Sequence, residues 1–180
     1  MNIVFFGNGS FGLHTLKALD DSKHNILAIV TNKDKAKGRG LKKSKNELFN
    51  EAQYRKIKII QEDDINKLSF IEKLKKINAD VFIVISYKII PKEIYNMPEY
   101  GAINLHASYL PKYRGSSPIQ KALMNGDDTI GLTSFLIDEK IDNGKIIKQQ
   151  LYELDNHSTY TEVYNMLSLK GGDLILDTLR

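Results

Sequence analysis

The chain has 180 residues, 42% of them hydrophobic, which is enough for one well-buried core and too short for two ordinary domains. Gly and Pro occur at ordinary frequency and no run of eighteen apolar residues exists, so collagen, low-complexity disorder and a helical membrane span are disfavoured. There is no Cys, which removes disulfides, thiolate zinc sites and a Cys nucleophile, while a net charge of +4 points only weakly to an anionic partner. Met1-Asn2-Ile3-Val4 enters an apolar run directly, without the basic stretch and cleavage site of an export signal, so a cytoplasmic location is expected.

Apolar runs at Ile3–Phe6, Ile26–Thr31, Ile57–Ile60, Val81–Ile85 and Ala102–Leu105 read as strands buried on both faces. Between them Phe11–Leu19, Lys45–Tyr54, Ile65–Ile77 and Lys92–Asn96 have helical spacing. The alternation implies right-handed crossovers and an α/β fold, a Rossmann-like doubly wound, mostly parallel sheet. After Tyr113 the pattern changes. A short helix is expected near Pro118–Met124, then strands at Gly131–Ile137 and Lys145–Glu153 around a turn at Asp142-Asn143-Gly144, forming an antiparallel addition. Thr159 and Glu162 make a capping box for a last helix running to about Thr178, in which Gly171-Gly172 is an expected bend. Ligands of open α/β sheets sit beyond the carboxyl ends of the strands, so the loops after Phe6, Thr31, Ile85 and Leu105 are where a site belongs.

Gly7-Asn8-Gly9-Ser10-Phe11-Gly12 matches GxGxxG after a strand, with Asp34 near the position of a ribose-binding acid. A dinucleotide-dependent oxidoreductase is therefore one reading. The same glycines serve any tight first βα turn, and Asp34 stands among Lys33, Lys35, Lys37 and Arg39.

The segment Asn104-Leu105-His106-Ala107-Ser108-Tyr109-Leu110-Pro111-Lys112-Tyr113-Arg114-Gly115 carries the strongest signal. Strand alternation puts Asn104 and His106 on one face at the carboxyl end of a central strand, with Ile103 and Leu105 on the other. An amide and an imidazole converging there suit a developing oxyanion, the amide as fixed donor and the ring as donor or proton carrier.

This segment resembles the signature of the 10-formyltetrahydrofolate-dependent formyltransferases, Asn-x-His followed by Ser-Leu-Leu-Pro and an Arg-Gly turn. The family's Asp-x-Gly is matched by Asp142-Asn143-Gly144. The glycine turn, Lys37-Gly38-Arg39-Gly40 and Pro118-Ile119-Gln120 are similar to the branch that acts on methionyl-tRNA, and the likeness runs from Met1 to about Gln150. The resemblance implies a catalytic trio of Asn104, His106 and Asp142. It also implies a folate pocket lined by Ser108, Tyr109, Leu110 and Pro111 together with Ile85, Ser86 and Tyr87. Tyr109 stands where the family usually has Leu, and Lys88 where a Gly commonly follows the pocket tyrosine. The co-substrate implied is 10-formyltetrahydrofolate, with no metal; His14, His24, His106 and His157 are scattered and form no ligand pair at helical spacing.

Seven Lys or Arg fall between Lys33 and Lys45, which reads as a solvated cationic loop. Lys37, Arg39, Lys42 and Lys43 are its candidate contacts to tRNA phosphates, and initiator methionyl-tRNA is the expected partner. The tRNA-directed branch usually carries a C-terminal β-barrel domain as well; residues 1–180 are expected to be a single catalytic domain without it. The same chemistry on a sugar-nucleotide or other small amine, and a non-catalytic RNA-binding module, remain as alternatives.

Overall fold

The computed structural model describes residues 1–33, 36–37, 42–43, 46–155 and 157–180. A seven-stranded sheet is built from β1 (Asn2–Gly7), β2 (Asn25–Thr31), β5 (Ile59–Gln61), β6 (Val81–Ile85), β7 (Ala102–His106), β8 (Thr129–Leu136) and β9 (Ile146–Glu153), in the order β5-β2-β1-β6-β7-β8-β9. The pairs from β5 to β7 are parallel, and β8 and β9 add antiparallel. Every residue of β6 is buried, as its unbroken run of large apolar side chains requires. The chain runs outward in opposite directions from the β1–β6 pair, which makes the carboxyl ends of these strands the switch point of the sheet.

Two cores flank the sheet. On one face, side chains of β1, β6, β7 and β8 pack with α1 (Leu13–Asp20), α2 (Glu47–Tyr54), α5 (Pro118–Met124) and α6 (Tyr160–Thr178). On the other, Phe6, Val30, Phe82 and Val84 pack with α3 (Leu68–Ile77) and α4 (Lys92–Tyr95).

Several element ends differ from the sequence expectation, each for a local reason. α2 begins at Asn46, whose side chain caps the Leu48 N–H at 3.1 Å. β5 starts two residues later than expected because Lys56, at φ 59°, turns the chain so that the Ile57 N–H closes onto the Ala52 carbonyl at the end of α2. Asp64 accepts from the Asn66 N–H, a turn that delays α3 until Leu68. The pair Gly171-Gly172 does not bend the last helix: α6 continues unbroken to Thr178, behind the Thr159–Glu162 capping box. A Cβ at 171 would lie 2.6 Å from Leu105 and one at 172 3.1 Å from Ala18, so these glycines let α6 lie close against β7 and α1.

The basic segment holds two short strands, β3 (Ala36–Lys37) and β4 (Lys42–Lys43), paired antiparallel with Lys37 opposite Lys42. The sequence reading had no strands there. Asp34 and Arg39 lie outside the described residues.

Candidate active site

A cleft of about 770 Å³ opens beyond the carboxyl ends of β6 and β7, within the size range of small-molecule sites. Asn104 and His106 line it from β7, Asp142 from the β8–β9 turn, Ser86 and Tyr87 from the loop after β6, and Tyr164 from α6. Three residues 38 or fewer positions apart in sequence thus meet because β8 returns antiparallel beside β7, with Asn104 opposite Phe135 and His106 opposite Thr133.

His106 is buried and its ring is held from both sides. Nε2 lies 2.9 Å from the Tyr113 carbonyl oxygen, which can only accept, so Nε2 carries a proton. Nδ1 faces Asp142 Oδ2 at 3.5 Å. Asp142 is fixed in turn: the Gly115 N–H donates to Oδ2 at 2.8 Å, and Arg114 Nε donates to the Asp142 main-chain carbonyl at 3.0 Å. The Asp-x-Gly spacing now has a physical reason. Asp142 takes the left-handed conformation, φ 47°, which Asp tolerates better than most residues, and a Cβ on Gly144 would lie 1.7 Å from the Leu136 carbonyl oxygen. Only a glycine lets the turn close against the end of β8. Ser86 (φ 51°) and Ser117 (φ 60°), both on the cleft wall, are also left-handed, a concentration of backbone strain typical of a site.

Tyr87 stacks edge-on against Phe6 with its hydroxyl buried and without a hydrogen-bond partner among the described residues. Burial pushes its phenol well above the ordinary range, with the nearby Asp63 and Glu62 charges adding to the shift, so it stays a neutral donor. Lys88 lies over the Tyr87 ring, 5.4 Å from its centroid, and donates to the Asp63 carbonyl at 2.5 Å. It ties the cleft wall to the loop after β5.

The remaining expected pocket residues are placed elsewhere. Ile85 is wholly buried in the core. Ser108, Tyr109, Leu110 and Pro111 do not line the cleft but form a brace behind it. Ser108 Oγ donates to the Lys112 carbonyl, the Leu110 N–H to Thr133 Oγ1, and Gln149 Nε2 to the Leu110 carbonyl at 2.8 Å, while Ser108 and Tyr109 border a separate cavity of about 160 Å³. The strand ends at His106, and the bonds to Thr133 and Gln149, which lie on the same face as His106, carry the following segment across β8 and β9 instead of along the cleft.

Sequence reasoning missed Tyr164 and Asn46. Tyr164 packs edge-on against Phe11 and bonds Ser10 Oγ at 2.8 Å, closing the cleft between α6 and the glycine turn. Asn46 Oδ1 accepts from the Gly9 N–H at 3.1 Å, and Asn8 Oδ1 accepts from the Asn32 N–H at 2.9 Å. Side chains of Phe5 and Leu48 fill the space beside Gly7. The GxGxxG turn is therefore packed by the protein itself, with a helix-facing N–H already satisfied, which removes the physical basis of the dinucleotide reading. Neither Tyr164 nor Asn46 carried a local sequence signal.

A half-open doubly wound sheet with an Asn-x-His strand end and an Asp-x-Gly turn converging in one cleft is the architecture of a group-transfer enzyme of the Rossmann-like class. The chain matches the formyl transferase family over residues 1–179 and belongs to it. Among curated proteins it is 41% identical over 178 residues to the methionyl-tRNA formyltransferase of Thermodesulfovibrio yellowstonii, covering 98% of this chain and 58% of that protein. It is 36% identical over 182 residues to that of Caldanaerobacter subterraneus, covering 100% and 59%. The chain thus spans under three-fifths of the length of these relatives. A phosphoribosylglycinamide formyltransferase from Bacillus halodurans shares the fold with a TM-score of 0.82 at 19% identity, covering 99% of this chain and 93% of that one. A formyltetrahydrofolate deformylase from Pseudomonas syringae does so with a TM-score of 0.76 at 19% identity, covering 99% and 59%.

Proposed function

We propose that this chain transfers the formyl group of 10-formyltetrahydrofolate to the α-amine of methionyl-tRNA, in the cytoplasm where translation begins. The convergence of Asn104, His106 and Asp142 on one cleft carries this reading. The cleft's volume and the unpartnered Tyr87 hydroxyl suit a largely aromatic ligand with a few polar groups. Identities of 36% and 41% to proteins named methionyl-tRNA formyltransferase favour that acceptor, as do the seven cations between Lys33 and Lys45. Lys37, Lys42 and Lys43 of the β3–β4 pair, with Arg39 between them in sequence, are the candidate phosphate contacts. No helix among the described residues is long and apolar enough to cross a membrane.

The folate supplies a formyl carbon bonded to a nitrogen leaving group. An α-amine with a pKa near about 8 is partly neutral at cytosolic pH, so it attacks that carbon without a strong base. Asn104 donates to the oxygen that becomes negative, and His106, whose Nε2–H is committed to the Tyr113 carbonyl, acts there through Nδ1, as a donor when that nitrogen carries a proton and as a proton carrier when it does not. Asp142 holds the ring and takes the proton released by the new ammonium, which passes to the departing folate nitrogen as the old carbon–nitrogen bond breaks. The products are the formylated amine and tetrahydrofolate. The test is an acceptor comparison: methionyl-tRNA, a sugar-nucleotide amine and glycinamide ribonucleotide offered with 10-formyltetrahydrofolate. Methionyl-tRNA is expected to show the highest kcat/KM, and preference for either small amine overturns the assignment.

A further inference from the structure

One tripeptide touches both halves of the His106–Asp142 pair. The Tyr113 carbonyl accepts from His106 Nε2, the Arg114 guanidinium donates to the Asp142 carbonyl, and the Gly115 N–H donates to the Asp142 carboxylate. A slide of this segment would move ring and carboxylate together. Something must hold it, because Tyr113 sits at φ 57°, a conformation that a bulky residue keeps only when its surroundings enforce it.

The enforcing contacts are on the Tyr113 side chain, away from the cleft. Its hydroxyl donates to Asp127 Oδ2 at 2.8 Å and accepts from Asn125 Nδ2 at 2.9 Å. Asp127 is itself fixed to the end of α5, its N–H bonded to the Ala122 carbonyl at 3.1 Å, and Lys112 Nζ stands 3.6 Å from the same carboxylate. Tyr113 and Asp127 border the small cavity behind the site and are absent from the cleft wall. Tyr113 itself touches the pair only at the His106 ring, and Asp127 acts through Tyr113.

We propose that Tyr113, braced by Asp127 and Asn125, is a positioning residue that fixes the tautomer and orientation of His106. Which nitrogen of a histidine carries the proton is set by the bond the other ring atom makes. Here the main-chain carbonyl of Tyr113 keeps a proton on Nε2, so Nδ1, which faces Asp142 and the cleft, is the ring atom left to take up and give back a proton. Removing the phenol hydroxyl leaves the ring in place but frees Tyr113, and with it Arg114 and Gly115, to relax from the left-handed conformation at Tyr113, so the tautomer mixes and the pair loses alignment. The kinetic arm of the test rests on the formyl-transfer reading; the spectroscopic arm does not.

The experiment compares wild type, Tyr113→Phe, Asp127→Ala and Asp127→Asn. Proton–nitrogen correlation spectra of the protein with nitrogen-15 histidine identify His106 as the resonance lost in His106→Gln. Wild type should show the Nε2–H form, and Tyr113→Phe and Asp127→Ala a shifted mixture, with Asp127→Asn, which keeps an acceptor oxygen, restored most of the way. Formyl-transfer kcat should fall by roughly 10- to 100-fold in the first two variants, the usual scale for a residue that orients a functional one, with KM for the formyl donor little changed. In a His106→Ala background Tyr113→Phe should cost nothing further. A wild-type ring protonated on Nδ1 alone, an unchanged tautomer in both disruptive variants, or a loss that multiplies in the His106→Ala background overturns the proposal. A tautomer shift in a protein that formylates none of the acceptors overturns the formyl-transfer reading and leaves the positioning role standing.

Discussion

Gly144→Ala tests whether the Asp-x-Gly turn acts through geometry alone. Gly144 is not part of the cleft wall, yet a Cβ there would lie 1.7 Å from the Leu136 carbonyl oxygen and 2.9 Å from its carbon. Real Cβ atoms essentially never come within 3.0 Å, so turn and strand end must separate by more than an ångström, and the obstructing atom is backbone, which cannot rotate aside. Asp142 is two residues upstream and carries the carboxylate that faces His106 at 3.5 Å, so the displacement passes directly into the pair. Overpacking of this kind costs about 1–3 kcal/mol, and the upper end is expected for a clash this short. In a domain of this size each kcal/mol moves Tm by about 2–4 °C, which gives a drop of roughly 6–12 °C by scanning calorimetry. A misplacement near 1 Å costs on the order of 100-fold in rate, so kcat for formyl transfer should fall by about that factor with folate affinity largely kept. A variant with native Tm and kcat within threefold of wild type would refute the argument that the glycine is there to seat Asp142.

Asn104→Ala and His106→Ala should each lower kcat roughly 100- to 1000-fold, but only His106→Ala should also destabilise, by about 1 kcal/mol in urea unfolding, because it leaves the half-buried Tyr113 carbonyl without its donor. Equal unfolding midpoints for the two would contradict the described network. Arg39→Ala should weaken methionyl-tRNA binding and flatten the slope of log affinity against log salt by about 0.7 to 0.9, with folate affinity unchanged; an unaltered slope removes the phosphate role. The Glu162 carboxyl is held below its ordinary value by the Thr159 N–H and hydroxyl, so its contribution is present above the unfolded carboxylate range and is lost as pH falls through the lowered folded value. Thr159→Ala should therefore shrink the loss of Tm between neutral and acidic pH, and an unchanged acid limb would show the cap to be electrostatically inert.

The strands were legible because burial on both sides of a parallel sheet leaves no polar face to disguise them; Val81–Ile85 falls where its apolar run ends. Asn104 and His106 were legible for the opposite reason, as two polar residues that interrupt such a run on one face. Asp142 is different. Nothing local to Asp142-Asn143-Gly144 distinguishes it from an ordinary surface turn, and it was found through its resemblance to a family pattern. The contacts that hold the trio were not legible: Tyr113 acts through its carbonyl and Gly115 through its N–H, and the glycine turn is likewise held by Asn46 through a bond to Gly9 37 positions away. Main-chain donors and acceptors are the same in every residue, so the side-chain letters do not encode them. Ser108–Pro111 stand apart from the cleft wall for a related reason. Proximity to His106 in sequence suggested a shared site, whereas the Thr133 and Gln149 bonds draw that segment sideways over β8 and β9.

That division between side chains that react and backbone that holds them explains how the chain tolerates its departures from the family pattern. Tyr109 replaces the usual Leu at a position that borders the rear cavity, and its place is held by main-chain contacts: the Ser108 carbonyl accepts from Thr133 Oγ1 at 2.7 Å and the Leu110 N–H donates to the same oxygen at 3.1 Å. Gly131 opposite has no Cβ, and one there would meet Tyr109 Cβ at 2.7 Å, so the absence of a side chain on β8 makes room for this segment. Lys88 occupies the cleft wall, yet its ammonium is bound by the Asp63 carbonyl, and Asp63 Oδ1 accepts from the Lys33 N–H at 3.1 Å at the foot of the basic segment. The loop after β5 therefore joins the cleft wall to the start of the basic segment. Where most of the family's pattern places a glycine beside the pocket tyrosine, this chain has a lysine whose charge is spent on bracing two loops against each other, which is compatible with an unaltered trio because none of its three members bonds to either loop.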